Sequence, residues 1–132
     1  MMRVVLDTNV LVSALLTPTG KAAAILTGVA VGKFRPCYDY RMFKEYQEVL
    51  RRSKFRFMEN NISFVLDVIK QRGIYVIPPP LPDAPFTDED DRTFFETAKY
   101  CHAKLITGNI RHFPQDSCII TVSDFYENYL KI

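Results

Sequence analysis

The chain has 132 residues, 48% of them hydrophobic and 13% aromatic, which fits one compact core and excludes an intrinsically disordered protein. Its net charge of +2 neither requires nor excludes a nucleic-acid partner. The three cysteines are widely spaced and odd in number, which argues against a disulfide framework or a zinc site and favours reduced thiols in a cytoplasmic protein. No signal-peptide pattern opens the sequence and no apolar run reaches membrane-spanning length, so we expect no membrane partner.

Apolar runs and helical periodicities predict strands that alternate with helices along the chain. In chain order the expected elements are a strand at 2–7, helices at 9–16 and 20–31, a strand at 34–38, helices at 40–52 and 61–72, a strand at 74–77, a helix at 91–102, strands at 104–107 and 118–121, and a helix at 123–131. Gly73 is a candidate C-cap, and the prolines of residues 78–82 end regular structure after the third strand. This order predicts a single α/β domain over residues 1–132, a three-layer α/β/α arrangement around a mostly parallel central sheet of about five strands.

The first predicted strand leads directly into an acidic residue. Apolar residues up to Leu6 suit a buried strand, Asp7 follows, and Thr8 and Asn9 are a pair suited to capping the next helix. The carboxyl ends of parallel strands form the ligand crevice of such sheets. Packing does not explain an acid in this place, because a buried carboxylate needs a partner, a cation or solvent. We therefore expect Asp7 to lie in a functional site.

Helical angle separates two glutamates in the predicted helix at 40–52. Successive residues turn by about 100°, so Met42 and Tyr46 mark the face that is buried. Glu48 points almost directly away from this face, and we expect it to be a solvated charge. Glu45 lies at the border of the face, where the angle fits a rim residue and a functional acid equally well.

The predicted helix at 91–102 begins with acidic residues of different orientation. Phe94 and Ala98 mark its buried face, and Asp91 projects onto that same face in the first turn. Asp88 is a candidate N-cap, and the acids before Asp91 are favourable partners for the helix dipole. Neither of those tasks requires a residue to lie on the buried face. Asp91 is therefore the candidate for a functional acid in this helix.

These acids are expected to form one site. Asp7, at a strand end, and Asp91, at a helix start, should meet at one edge of the sheet, with Glu45 nearby. Carboxylates that lie close together raise each other's pKa unless a cation neutralises them. Mg²⁺ and Mn²⁺ prefer carboxylate oxygens, water and substrate phosphate as ligands, and no Cys/His cluster in the sequence competes as a zinc site.

With these acids in this order, the sequence resembles the PIN domain family of small metal-dependent ribonucleases, and within it the VapC-like toxins of bacterial toxin–antitoxin pairs. Each matching segment is short, but the four segments occur in the right order across nearly the whole chain. They are Val-Val-Leu-Asp-Thr-Asn-Val-Leu-Val-Ser at 4–13, Lys-Glu-Tyr-Gln-Glu-Val-Leu-Arg-Arg at 44–52, Asp-Glu-Asp-Asp-Arg-Thr-Phe at 88–94 and Leu-Ile-Thr-Gly-Asn at 105–109.

The resemblance assigns the family's acidic positions residue by residue. Its first three acids fall on Asp7, Glu45 and Asp91, which it implies are catalytic residues and metal ligands. The fourth position, after Thr-Gly, holds Asn109, where many members have aspartate. An amide oxygen can still bind a cation but brings no negative charge, so a second metal would bind more weakly.

Three polar residues are candidates for supporting these acids. Thr107 matches the family's hydroxyl residue, which orients an acid or a water molecule. Asn9 and Ser13 could do similar work from the first helix. Simpler assignments, an N-cap for Asn9 and a helix-surface residue for Ser13, compete with this one.

The resemblance also implies a reaction and its partners. It implies hydrolysis of RNA phosphodiesters with Mg²⁺ or Mn²⁺ as the cofactor and water as the nucleophile. Glu45 is then expected to orient the attacking water. A toxin of this group requires a cognate antitoxin protein, and homodimers are common among its members.

Cationic residues near the expected site are candidates for RNA binding. Arg92 and Arg111 each flank a proposed site residue, and Arg51 and Arg52 begin a stretch, residues 51–57, in which cations alternate with phenylalanines. Basic and aromatic side chains together bind phosphates and stack on unpaired bases. The same stretch is also typical of a solvated helix end whose cations favour the helix dipole.

Two other interpretations remain open. A PIN-like RNA- or protein-binding module with weakened catalysis is favoured by Asn109. A phosphotransfer enzyme or receiver also carries an acid after its first strand, but haloacid-dehalogenase-like phosphatases require a second aspartate two residues on, where Asn9 stands. Receivers require an aspartate after a middle strand, and the strand at 74–77 ends in prolines.

Overall fold

The computed structural model describes residues 1–86 and 88–131, and within them every predicted element is present, with ends displaced by no more than two residues. In chain order these are β1 (Arg3–Leu6), α1 (Thr8–Leu16), α2 (Lys21–Ala30), β2 (Arg35–Tyr38), α3 (Tyr40–Leu50), α4 (Glu59–Arg72), β3 (Ile74–Tyr75), α5 (Glu89–Cys101), β4 (Lys104–Thr107), a short 3-10 helix (Ile110–His112), β5 (Ile119–Thr121) and α6 (Val122–Tyr129).

The five strands form one parallel sheet in the order β3-β2-β1-β4-β5. Val4, Val5 and Leu6 follow one another in β1, and all three are fully buried. Because consecutive strand residues face opposite sides of a sheet, helices must cover both faces. The predicted three-layer α/β/α fold is confirmed, and the sheet is wholly parallel within the described residues.

The strand order reverses between β1 and β4. From β1 the chain adds β2 and β3 on one side, then β4 and β5 on the other. Open parallel sheets bind ligands at the carboxyl ends of the strands, where the order reverses in this way. Asp7 follows β1 and Thr107 ends β4, so both residues lie at this point of the sheet.

The helices hold the acidic segments against this edge. Helix α5 packs across β1, β2 and β4, while α3 contacts α1, α4 and α5. The buried face of α3 includes Met42, Tyr46 and Leu50, as the helical angles predict. Gly73 is the C-cap of α4, as expected, although its backbone is extended rather than left-handed.

Three further expectations concern the ends of elements, thiols and membranes. The third strand is shorter than predicted, because the prolines from Pro78 onward prevent it from extending, although the Val76 amide still donates to the Tyr38 carbonyl at 2.9 Å. All three cysteines are free thiols, as expected. No single helix of the described chain is long and apolar enough to cross a membrane; α1 and α2 pass that test only as a pair bent by 106°.

Candidate active site

Asp7 lies at the centre of the site. Its side chain is only 6% exposed, and its Oδ2 accepts a hydrogen bond of 2.7 Å from the Thr107 hydroxyl. Its Oδ1 accepts from the Thr8 amide at 2.9 Å, which makes Asp7 itself the N-cap of α1. The prediction that Thr8 and Asn9 cap this helix is therefore wrong. The helix begins one residue earlier because the acid at the strand end satisfies its first amide.

Asn9 connects the first helix with the loop after β4. Its Oδ1 accepts a hydrogen bond of 3.0 Å from the Gly108 amide, which holds this loop beside Asp7. Ser13 is exposed on α1, and among residues 1–86 and 88–131 its side chain makes no hydrogen bond to the acids.

Glu45 reaches the site from α3. The N-cap of this helix is Asp39, whose Oδ1 accepts a hydrogen bond of 2.8 Å from the Met42 amide. Glu45 is half-buried, and its Oε2 accepts a hydrogen bond from the Thr8 hydroxyl. Glu48 is exposed, as its helical angle predicts. The sequence analysis did not consider Thr8 as a partner of Glu45, because that contact joins residues 37 positions apart.

Asp91 enters from the first turn of α5. Asp88 is the N-cap of this helix, as predicted, with its Oδ1 accepting from the Asp90 amide at 3.0 Å. Asp91 is half-buried on the inner side of the turn, and its Oδ2 lies 3.9 Å from His112 Nδ1. No Lys or Arg within residues 1–86 and 88–131 forms an ion pair with Asp7, Glu45 or Asp91.

The three acids influence each other's ionisation. Burial raises the pKa of Asp7, although hydrogen bonds from Thr107 and Thr8 oppose the effect. Burial also raises the pKa of Glu45, and repulsion by Asp7 and by the acids of the α5 turn adds to it. Burial and the charge of Asp7 raise the pKa of Asp91 to about 6. Burial is the largest cause for all three acids, and it favours the protonated form of each.

The fourth predicted position, Asn109, follows β4 at the edge of the site. Its Oδ1 accepts from the Arg111 amide at 3.3 Å and caps the short 3-10 helix. Its amide nitrogen lies 3.0 Å from His112 Nε2. The other ring nitrogen of His112, Nδ1, faces Asp91.

An ion network that joins the exposed Arg41 to two buried acids supports α3 and α5 beside the site, and no sequence pattern predicts it. Arg41 donates to Asp39 Oδ2 at 2.9 Å and to Glu96 Oε1 at 3.2 Å, and the Thr93 hydroxyl also donates to Asp39 Oδ2 at 3.0 Å. The available signal was Asp39, which follows the second strand just as Asp7 follows the first. Glu96 gave no such signal, because it is buried by contacts between distant segments.

The predicted RNA-binding arginines differ in their surroundings. Arg92 is 16% exposed, and its guanidinium donates to Glu89 and to the Leu81 carbonyl at 2.6 Å. These contacts give Arg92 a structural task, and RNA binding by it remains a prediction. Arg51 is exposed and pairs with Glu59 at 2.6 Å, and Arg111 is exposed in the 3-10 helix.

Arg52 lies closer to the acids. It lines a depression of about 330 Å³ together with Glu45, Glu48 and Asp90. A larger cavity of about 590 Å³ lies at the other end of the sheet, where Arg3 and Lys104 begin their strands. That cavity is remote from the carboxyl ends of the strands, so the smaller depression beside Glu45 is the better candidate for a substrate surface.

The comparison with protein families agrees with this geometry. The PIN domain family matches residues 3–111, which is most of the chain and contains all four predicted positions. The chain belongs to the PIN domain family. PIN domains are generally nucleases, so the membership places the protein in a class of hydrolases.

A solved structure shares this PIN fold. One chain of the crystal structure of VapBC2 from Rickettsia felis, bound to a DNA fragment from their promoter, superposes with a TM-score of 0.64. The match covers 91% of this chain and 97% of that chain, at 18% sequence identity. No curated protein sequence matches the chain.

The acids of this PIN domain are gathered but not closed around a common point. Across residues 1–86 and 88–131, no group of three or more Asp, Glu, His or Cys side chains is already arranged to hold a metal ion. Glu45 is held by Thr8 and would have to turn to share a cation with Asp7.

Proposed function

We propose that this PIN domain is a Mg²⁺- or Mn²⁺-dependent endoribonuclease that hydrolyses RNA phosphodiesters. The observation that carries the proposal is the meeting of Asp7, Glu45 and Asp91, without a cationic counterpart from Lys or Arg in the described chain, at the reversal of strand order. Membership of a family that is generally made of nucleases supports the same chemistry.

The donor set of the site fits a hard divalent cation. Asp7, Asp91 and Glu45 offer only oxygen atoms, and burial raises the pKa of each, so a bound cation would favour their ionised forms. Asp7 and Asp91 would hold the cation, and Glu45 would join directly or through water. In hydrolases of this kind a divalent cation acidifies water and offsets charge on the phosphate.

The protein's own side chains then perform distinct tasks. Thr107 fixes the orientation of Asp7 through its hydroxyl, and Asn9 keeps the loop after β4 in place. Glu45, half-buried at the border of the depression, orients the attacking water and accepts its proton. Arg52 lines the same depression and offers a positive charge to the RNA backbone.

The proposed biological setting is a toxin–antitoxin pair. The toxin-like sequence segments support it, as does the shared fold with a chain from the VapBC2 structure. We propose that a cognate antitoxin protein masks the acidic site, that the active form is a homodimer and that the protein acts in the cytoplasm.

Replacing Glu45 with glutamine should lower the cleavage rate about a hundredfold, the typical contribution of a positioned base. Glu48→Gln is the matched control, because Glu48 lies one turn further along the same helix and lines the same depression, but is exposed where Glu45 is half-buried. We expect it to cleave at the wild-type rate. Equal losses in the two variants, measured under single-turnover conditions, would show that Glu45 has no special role.

A PIN-like binding module with weakened catalysis is the alternative function, and Asn109 is the observation that favours it. We expect Asn109→Asp to raise Mn²⁺ affinity about tenfold, since the change adds a carboxylate at the edge of the site and keeps the cap of the 3-10 helix. Isothermal titration calorimetry measures this, with the exposed Asn61→Asp as a control for added charge. No change in Mn²⁺ affinity would count against the assignment of this position.

The proposed function is tested by incubating the purified protein with single-stranded and transfer-type RNAs in Mg²⁺, Mn²⁺ or EDTA. We expect internal cleavage with either cation and none in EDTA. Cleavage that persists in EDTA would contradict the metal dependence. Mn²⁺ binding without cleavage of any RNA would favour the binding module.

A further inference from the structure

An aromatic groove lies at the β3 edge of the sheet, separate from the acidic residues. It has a volume of about 370 Å³ and is formed where β2 leads into α3 and where β3 follows α4. Four aromatic rings and two lysines line it, and none of the residues that line it is acidic. The six are Tyr38, Tyr40, Phe43, Tyr75, Lys44 and Lys70.

The inner part of the aromatic groove is held firmly. The Tyr38 ring packs against Phe43 and against Tyr75, with ring centroids 5.5 Å apart in both pairs. Gly73 leaves room for this ring, because a Cβ atom there would lie 2.8 Å from Tyr38 Cε1. The floor is therefore a fixed surface rather than a set of mobile side chains.

The outer part is open to solvent. Tyr40 is 56% exposed and Tyr75 is 54% exposed, so core packing does not account for these rings. Lys44 is exposed beside them, and Lys70 Nζ lies 5.8 Å from the centre of the Phe43 ring. Exposed rings flanked by cations, without acids between them, suit ligands that combine flat bases with phosphates.

The aromatic groove is connected to the proposed active site through α3. Tyr40 is the first residue of this helix, and Glu45 follows about 7 Å further along its axis. Lys44 lines both the aromatic groove and the depression that contains Glu45. A flexible RNA bound in the aromatic groove would therefore lead directly into the depression that contains Glu45.

We propose that the aromatic groove binds the unpaired bases of single-stranded RNA next to the bond to be cut. Tyr40 and Tyr75 stack on bases, and Lys44 and Lys70 contact phosphates. The inference rests on the proposed function and adds a base-binding surface beside the active site, which a duplex cannot use because its bases are already stacked. Charge favours RNA over an acidic or neutral protein segment, since every ionised side chain of the groove is positive.

The test measures binding of fluorescein-labelled oligo(U) by fluorescence anisotropy, in an Asp7→Asn background so that the probe stays uncut. Changing Tyr40 and Tyr75 together to alanine should raise the Kd at least about fivefold, which corresponds to about 1 kcal/mol, the lower end of stacking on one ring. Tyr100→Ala is the matched control, because Tyr100 is 53% exposed but lies on α5 away from the groove. It should leave the Kd unchanged.

Further variants separate stacking from folding and charge. Tyr40→Phe with Tyr75→Phe should retain oligo(U) binding, because both rings persist. Its melting temperature should match that of the Asp7→Asn protein. Lys44→Gln with Lys70→Gln should lower the salt dependence of log Kd by about 0.7 for each lost phosphate contact. These two lysines are exposed, so this variant decides the question if the alanine pair fails to fold.

The inference is overturned if oligo(U) does not bind, or if the alanine pair binds it as tightly as the Tyr100 control does. It also fails if a duplex RNA binds equally well and responds equally to the tyrosine changes. If the wild type cuts RNA and the groove variants bind and cut it equally well, the proposed function stands but RNA binding by the aromatic groove is rejected. If the groove variants weaken RNA binding but the wild type cuts no RNA, the aromatic groove is supported and the proposed function fails.

Discussion

Replacing Asp7 with asparagine is expected to lower RNA cleavage about a thousandfold while the protein remains folded. Asp7 is the most buried of the three acids and the one that Thr107 orients. Cation binding contributes several kcal/mol to phosphodiester hydrolysis, and each 1.36 kcal/mol is a factor of ten in rate. Loss of this carboxylate charge therefore removes a large part of the catalysis.

Stability should move in the other direction. Asparagine keeps the Oδ1 atom that accepts from the Thr8 amide, so the N-cap of α1 survives. The substitution removes a buried charge whose pKa is raised by its surroundings, which stabilises the metal-free protein. We expect a melting temperature equal to or above that of the wild type, measured by circular dichroism in EDTA. A large drop would show that Asp7 is a structural acid.

The second large effect concerns Asp91 and pH. Its pKa of about 6 in the folded protein exceeds the 3.8 of a free aspartate, so the folded state favours the protonated form. This stabilising contribution is fully present below about pH 4 and is lost as the pH rises through about 6. Without metal, the protein should therefore be more stable at pH 5 than at pH 7.5.

Asp91→Asn should reduce this pH difference in stability, leaving the smaller contributions of Asp7 and Glu45, and should remove most of the cleavage. The expected gain at pH 7.5 is about 1 kcal/mol, because solvent screens a half-buried group. Melting curves from pH 5 to pH 8 in EDTA, for the wild type and for Asp91→Asn, measure it. Wild-type stability that rises with pH across this window would contradict the assignment.

Cleavage should depend on pH with the opposite sign. Cation binding requires ionised carboxylates, so the wild-type rate in Mg²⁺ should fall below about pH 6, where Asp91 takes up its proton. Glu48→Gln, whose site is exposed, should show the same profile as the wild type. A cleavage rate that does not change from pH 5 to pH 7 would contradict the assignment of Asp91 as a metal ligand.

The features that the sequence predicted well depend on local periodicity. Asp7 was placed by the apolar run that precedes it, and Glu45 and Glu48 were separated by helical angle alone. Asp91 was placed because it shares a face with Phe94. Each of these predictions needs only the geometry of one strand or helix, which is why the structure retains them.

The features that the sequence did not predict join distant segments. The contact of Thr8 with Glu45 depends on how α3 crosses α1, and the pairing of Arg41 with Glu96 depends on how α5 packs beside it. No periodicity along the chain encodes such a crossing. The aromatic groove likewise arises only when Tyr40 and Tyr75, 35 positions apart, meet at the edge of the sheet.

The central claim, that Asp7, Asp91 and Glu45 hold a divalent cation, is tested most directly by anomalous diffraction from crystals soaked in Mn²⁺. The account predicts a single strong peak in contact with Asp7 and Asp91, with Glu45 turned toward it from its contact with Thr8. The peak should be missing in Asp7→Asn crystals soaked in the same way. A peak on other residues, or no peak in a protein that still cuts RNA, would contradict the account.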